Sequence, residues 1–128
     1  MPVPITALYT AILALVVLAL AVNVSIHRGK LKVDVGDGDN PQMLRMIRIH
    51  GNAVEYVPIA LLLMGAYELD GGSHRLLHIA GIALVVGRLL HAWGMWNRPE
   101  PTFGRIAGVS LTLLTIIALA ILNLLQLA

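Results

Sequence analysis

The residues best suited to chemistry form a polar stripe in the second quarter of the chain. Arg45, Arg48, Asn52 and Glu55 are separated by 3, 4 and 3 residues, a spacing that places them on one face of a helix. Arginines beside an amide and a carboxylate suit a ligand that carries both carboxylate and ammonium groups. Arg45 alone is more typical of a side chain that binds lipid headgroups. We therefore expect the part of this stripe from Arg48 to Glu55 to bind a ligand.

A second stripe comprises Arg88, His91 and Met95, again at helical spacing. Charges within membrane helices usually face a bundle interior or a cavity, because exposing them to lipid is costly. If the two stripes lie on antiparallel helices joined by the turn at Gly71 and Gly72, Glu55 lies at the same depth as Arg88, and Asn52 at the same depth as His91. This predicts an ion pair between Glu55 and Arg88, with Asn52 beside His91. Such a network either serves a ligand or only ties the helices together, and the residues leave both interpretations open.

The elements that position these stripes follow from composition. Of 128 residues, 58% are apolar and only 12% are charged, which indicates a membrane protein. A spanning helix needs about 20 apolar residues, so the chain has room for a single domain of four helices. The expected helices cover residues 5–26, 42–69, 74–96 and 102–127, with 29–40 as a loop rich in glycine and aspartate.

Charge and cysteine content narrow the chemistry and give an orientation. The chain has no cysteine, so any thiol must come from a ligand. The net charge of +2 does not favour nucleic acid as a partner, and we expect no metal site. Eight of the nine basic residues lie in or beside the first and third loops. The positive-inside rule then places those loops in the cytoplasm and both termini outside.

Two segments resemble motifs of a known family. RMIRIHGNAVEYVPIALLL, residues 45–63, and GRLLHAWG, residues 87–94, are similar to the helix 2 and helix 3 motifs of the MAPEG family, the second most closely to the prostaglandin E synthase form. With VGDGDN, residues 35–40, and GAYELDGG, residues 65–72, the pattern is most similar to the family's bacterial branch. That family includes microsomal glutathione transferases, leukotriene-C synthases and microsomal prostaglandin E synthase. The resemblance implies a homotrimer of four-helix subunits in a bacterial inner membrane, which binds glutathione at each subunit interface near the cytoplasmic surface.

The resemblance also implies roles for individual residues. The implied catalytic residues are Arg28, at the thiolate-stabilising place ending helix 1, and Arg105 near the start of helix 4, with Arg98 as the alternative to Arg105. Two positions depart from the pattern, because Met95 replaces a tyrosine and Gly51 stands where prostaglandin synthase relatives have an arginine. The residues implied in holding glutathione are Arg48, Asn52, Glu55, Tyr56, Arg88 and His91.

The expected function is therefore an integral membrane enzyme that stabilises the glutathione thiolate. The thiolate would attack lipophilic electrophiles or reduce lipid hydroperoxides. One alternative is a trimer that binds glutathione or lipid without catalysis. A small multidrug exporter is less favoured, because it should carry a glutamate in helix 1 and none is present. A haem-binding bundle is also less favoured, because His78 is expected near the membrane surface opposite to His50 and His91.

Overall fold

The computed structural model describes residues 1–128 as four helices in an up-and-down bundle. All four are long and apolar enough to cross a membrane. The molecule is thus an all-α bundle with its first and third connections at one end and its second connection at the other. The helices are α1 (Pro4–Leu31), α2 (Pro41–Leu69), α3 (His74–Trp96) and α4 (Phe103–Gln126).

Three helices begin where a polar side chain caps their free amides. Asn40 Oδ1 accepts from the backbone N–H groups of the second and third residues of α2, at 2.9 and 3.0 Å. Ser73 caps α3 and Thr102 caps α4 in the same way. These residue types are favoured at this position because their side chains replace the missing backbone acceptors. Between α2 and α3, Gly71 adopts a φ of 76°, which lets the chain reverse within a short turn.

Helix α1 is longer than the sequence indicates, so the prediction of a loop from residue 29 is wrong for its first three residues. The helix continues to Leu31 and stops at Lys32, which adopts a left-handed conformation and donates its N–H to Arg28 O. At about 1.5 Å per residue the 28 residues of α1 extend roughly 42 Å. Since a hydrocarbon core is about 30 Å thick, the last turns of α1 carry their basic side chains beyond it.

Helices α3 and α4 meet along a glycine seam formed by Gly87 and Gly94 of α3 and Gly104 and Gly108 of α4. A Cβ added at Gly94 would lie 2.1 Å from the backbone N of Arg105, and one at Gly108 would lie 2.5 Å from Gly87 O. The backbones therefore touch with no room for side chains, as is common where membrane helices pack through small residues. This contact brings the polar residues of α3 against the first half of α4.

The opposite end of the bundle is joined by a buried carboxylate. Glu68, 6% exposed, accepts hydrogen bonds from the backbone N–H groups of Ile5 at 2.9 Å and Thr6 at 2.7 Å. A negative charge at a helix N-terminus is stabilised by the free amides and the helix dipole. The Tyr9 hydroxyl also lies 3.0 Å from His78 Nδ1. Helices α2 and α3 thus fix the start of α1.

The apolar interior consists of two clusters. The larger occupies the middle of the bundle and the end near the second connection, and it includes Leu13, Met64, Leu84 and Leu119. The smaller packs α1, α2 and α3 near the first and third connections, and it includes Leu20, Met43, Met46, Ile49 and Met95. The polar site lies at the end of the bundle that carries the first and third connections.

Candidate functional site

The centre of the site is Arg88, a buried cation without a carboxylate partner. Its side chain is held by α2 and α4 and the residue is only 2% exposed. Nη2 donates to Thr112 Oγ1 at 2.7 Å and to Gly108 O at 3.4 Å, and Nη1 donates to Asn52 Oδ1. Nε is buried with no partner. A buried charge needs such hydrogen bonds, so neutral acceptors keep the guanidinium within the bundle and leave its positive charge uncompensated.

The structure contradicts the Glu55–Arg88 ion pair that depth matching predicts and gives Arg88 a different partner on α2. Glu55 does not pair with Arg88, because its Oε1 lies 3.2 Å from Arg48 Nη1. Asn52 binds Arg88 and makes no hydrogen bond to His91. The residue that reaches Arg88 from α2 is thus three positions before Glu55, a displacement of about 4.5 Å along the helix. Glu55 faces outward, with its side chain half exposed.

Three arginines lie within electrostatic range of His91, which is itself 4% exposed. Arg88, Arg105 and Arg48 all lie close enough for their charges to act on the imidazole. Tyr56 lies within electrostatic range of Arg88. Residues from α2, α3 and α4, far apart in the chain, therefore form one cationic cluster.

The two residues implied as catalytic have different surroundings. Arg105 donates a 3.5 Å hydrogen bond from Nη1 to Pro99 O in the third connection, between α3 and α4. Its charge also acts on His91. Arg28 instead donates from Nη1 to Gly36 O at 2.8 Å and to Val33 O at 3.4 Å. Within this chain, Arg105 belongs to the cationic cluster and Arg28 is hydrogen-bonded to the first connection.

Sequence reasoning predicted Arg105 of α4 but missed the two groups of α4 that hold Arg88. Thr112 supplies the better of the two hydrogen bonds that Arg88 makes with α4, and Gly108 supplies the other through its carbonyl. A signal for both was present, since Gly104, Gly108 and Thr112 recur every four residues. That spacing places small residues along one face of a helix and is typical of close helix packing.

The surface of the site combines opposite charges. The Arg48–Glu55 pair has both side chains 50% exposed, and Arg88 and Arg105 add positive charge to the same site. Met95 is buried in the smaller apolar cluster and offers no hydroxyl. The arrangement can bind a ligand with several negative groups and one positive group. The half-exposed charges that would contact it, Arg48 and Glu55, both come from α2.

Together the fold and the site define a four-helix integral membrane protein with a cationic cluster between α2, α3 and α4. The chain belongs to the MAPEG family, whose family model matches residues 6–125. It is also similar to the inner membrane protein YecN of Escherichia coli (strain K12), with 42% identity over 94 residues that cover 73% of this chain and 72% of the relative. YecN of Escherichia coli O6:H1 (strain CFT073) matches over the same extent with the same identity.

Proposed function

We propose that the protein binds glutathione in a bacterial inner membrane and stabilises its thiolate. The observation that supports this most is that Arg48 pairs with the carboxylate of Glu55 at 3.2 Å, while Arg48, Arg88 and Arg105 all lie within electrostatic range of His91. Glutathione has two carboxylates and one ammonium group, which match this set of charges. The family of the chain and the inner membrane relatives are consistent with the location.

The exposed stripe of α2 would hold the peptide part of the ligand. Arg48 would bind a carboxylate and Glu55 the ammonium group, since charge-assisted hydrogen bonds are the strongest polar contacts. Asn52 and Tyr56 would supply uncharged hydrogen bonds. The existing Arg48–Glu55 pair is no obstacle, because a ligand's carboxylate and ammonium group would give each side chain an equivalent partner of opposite charge.

A cation near the sulfur is the chemical requirement. A free thiol has a pKa of about 8.5, so only about 3% is ionised at neutral pH. The thiolate supplies the nucleophile for conjugation to a lipophilic electrophile or for reduction of a lipid hydroperoxide. Arg105 already lies in the cluster. Arg28 would take part by leaving the carbonyls of the first connection or by approaching from a neighbouring subunit.

We also propose a homotrimer, with the first and third connections in the cytoplasm. The half-exposed charges of Arg48 and Glu55 lie on a membrane-spanning helix, and contact with lipid would be costly. A neighbouring subunit would cover them. Crosslinking in mild detergent should give a ladder that ends at three subunits. A monomer that still binds glutathione would contradict the interface site.

Calorimetry with glutathione tests the binding site. Arg48→Ala should weaken affinity about 10- to 150-fold, because it removes a charge-assisted contact of roughly 1.5–3 kcal/mol. Arg75→Ala is the matched control, since Arg75 is exposed at the opposite end of the bundle. Equal affinities for the two variants would remove Arg48 from the site.

A second measurement separates binding from thiol activation. Arg28→Ala should leave glutathione affinity nearly unchanged and raise the pKa of the bound thiol, followed by the ultraviolet absorbance of the thiolate. If Arg28→Ala leaves ionisation unchanged and Arg105→Ala shifts it, the stabilising cation is Arg105.

The second candidate is a trimer that binds glutathione or lipid without catalysis. It is favoured by Met95, which stands where the family motif has a tyrosine and leaves no hydroxyl there to contact the sulfur. An activity screen with an aryl halide and with cumene hydroperoxide distinguishes the two functions. Tight glutathione binding without turnover of any electrophile or hydroperoxide would support the non-catalytic function.

A further inference from the structure

A cavity of about 420 Å³ opens between the end of α3 and the start of α4. Its walls include Trp93, Asn97, Arg98 and Phe103, and part of its surface is formed by glycines of the glycine seam. The volume is within the range of about 300–1,000 Å³ that is typical of small-ligand sites. None of the four wall residues belongs to the cationic cluster around His91, so this is a separate candidate site.

The polar wall of the cavity suits an anion. Arg98 has one carboxylate near it, Glu100, at 4.0 Å, and both side chains are more than half exposed. Such a pair contributes little, so the guanidinium is free to bind another negative group. A guanidinium binds phosphate with two parallel hydrogen bonds.

The apolar wall suits a lipid. Trp93 is 71% exposed and Phe103 is 81% exposed, which are large aromatic areas to leave without a partner. The 23 residues of α3 extend about 35 Å, against a hydrocarbon core of about 30 Å. The last turn of α3 therefore lies at the headgroup level, where tryptophan and arginine are common.

We propose that this cavity binds an anionic phospholipid, with its phosphate on Arg98 and its first acyl carbons against Trp93 and Phe103. Free phosphate would use the arginine but not the aromatic rings. A second copy of the chain would cover the rings but would need a carboxylate opposite Arg98. A lipid supplies both groups at the depth of the cavity.

Fluorescence quenching by brominated lipids in mixed micelles tests the proposal. Trp96→Phe leaves Trp93 as the only tryptophan, whereas Trp93→Phe leaves Trp96, which is not part of the cavity wall. Brominated phosphatidylglycerol should quench Trp93 at a mole fraction about fivefold lower than brominated phosphatidylcholine, the factor that one arginine contributes near anionic lipid. Trp96 should show a smaller preference.

Charge variants complete the test in the Trp96→Phe background. Arg98→Gln should abolish the preference for phosphatidylglycerol, and Arg75→Gln should retain it. Equal quenching by the two lipids before any charge is changed would overturn the proposal. Displacement of the lipid by millimolar inorganic phosphate would also overturn it, in favour of free phosphate. Protection of Trp93 from quenching by both lipids, together with a disulfide crosslink between subunits of the Trp93→Cys variant, would overturn it in favour of a second copy of the chain. A loss of glutathione affinity in Arg98→Gln with unchanged quenching would also overturn it.

Discussion

Thr112 offers a sensitive test of how the buried arginine is held. Its hydroxyl accepts from Arg88 Nη2 at 2.7 Å and donates to Gly108 O, four residues earlier on α4, at 3.0 Å. Thr115 is the matched control, because it is also buried on α4 and bonds only to Leu111 O, at 2.7 Å. Replacing either residue with valine preserves the branched shape and removes the hydroxyl.

The difference between the two valine variants measures the hydrogen bond from Arg88. Charge-assisted hydrogen bonds contribute about 1.5–3 kcal/mol, whereas polar contacts within membrane proteins average about 0.6 and reach about 1.7 kcal/mol. The two ranges meet near 1.5 kcal/mol. We therefore expect Thr112→Val to lower the free energy of unfolding by about 1.5 kcal/mol more than Thr115→Val.

Reversible unfolding by SDS in mixed micelles, followed by circular dichroism, gives these free energies. In an Arg88→Met background the two valine substitutions should cost the same, because the donor is gone. Equal costs in the unmodified protein would refute the network. A difference that persists without the arginine would show that Thr112 acts through packing and not through Arg88.

Two further predictions concern the helix contacts. Gly108→Ala should cost roughly 1–3 kcal/mol through overpacking, because its Cβ would lie 2.4 Å from the backbone N of His91. Gly29→Ala is the control: its Cβ meets nothing within 4 Å, so in the same unfolding titration it should cause no loss of stability and, as a helical position, a gain of up to about 1 kcal/mol. Glu68→Gln keeps one acceptor oxygen of two, so the backbone amides at the start of α1 should exchange about tenfold faster with deuterium, as expected for losing one charge-assisted bond of about 1.5 kcal/mol. Unchanged exchange would mean that the cap does not hold α1.

The helices could be predicted because their signals are local. Stretches free of charge reveal spans, and Asn40, Ser73 and Thr102 indicate where helices begin. The end of α1 was missed, because Gly29 and the basic residues around it resemble a loop in composition. The helix continues there to Leu31 and packs that residue against the smaller apolar cluster.

The grouping of site residues was also accessible from the sequence. Helical spacing alone identifies the stripes of α2 and α3, and the family motifs add Tyr56 and Arg105. The structure places Arg48 of α2, Arg88 of α3 and Arg105 of α4 within electrostatic range of His91. Periodicity can do this because it reports which residues of one helix share a face.

The partners of each polar side chain were decided by tertiary structure. Arg88 binds Asn52 and Thr112, and Glu55 binds Arg48. Hydrogen bonds depend on the rotation of each helix about its axis and on its approach to its neighbours, within tenths of an ångström. The glycine seam sets that approach by pressing α4 against α3. Glu55, which counting along the helices places level with Arg88, does not bind it. Arg88 binds acceptors on α4 and Asn52, which lies one turn from Glu55 on α2. A sequence specifies which faces are polar, but only the packed backbones specify which atoms meet.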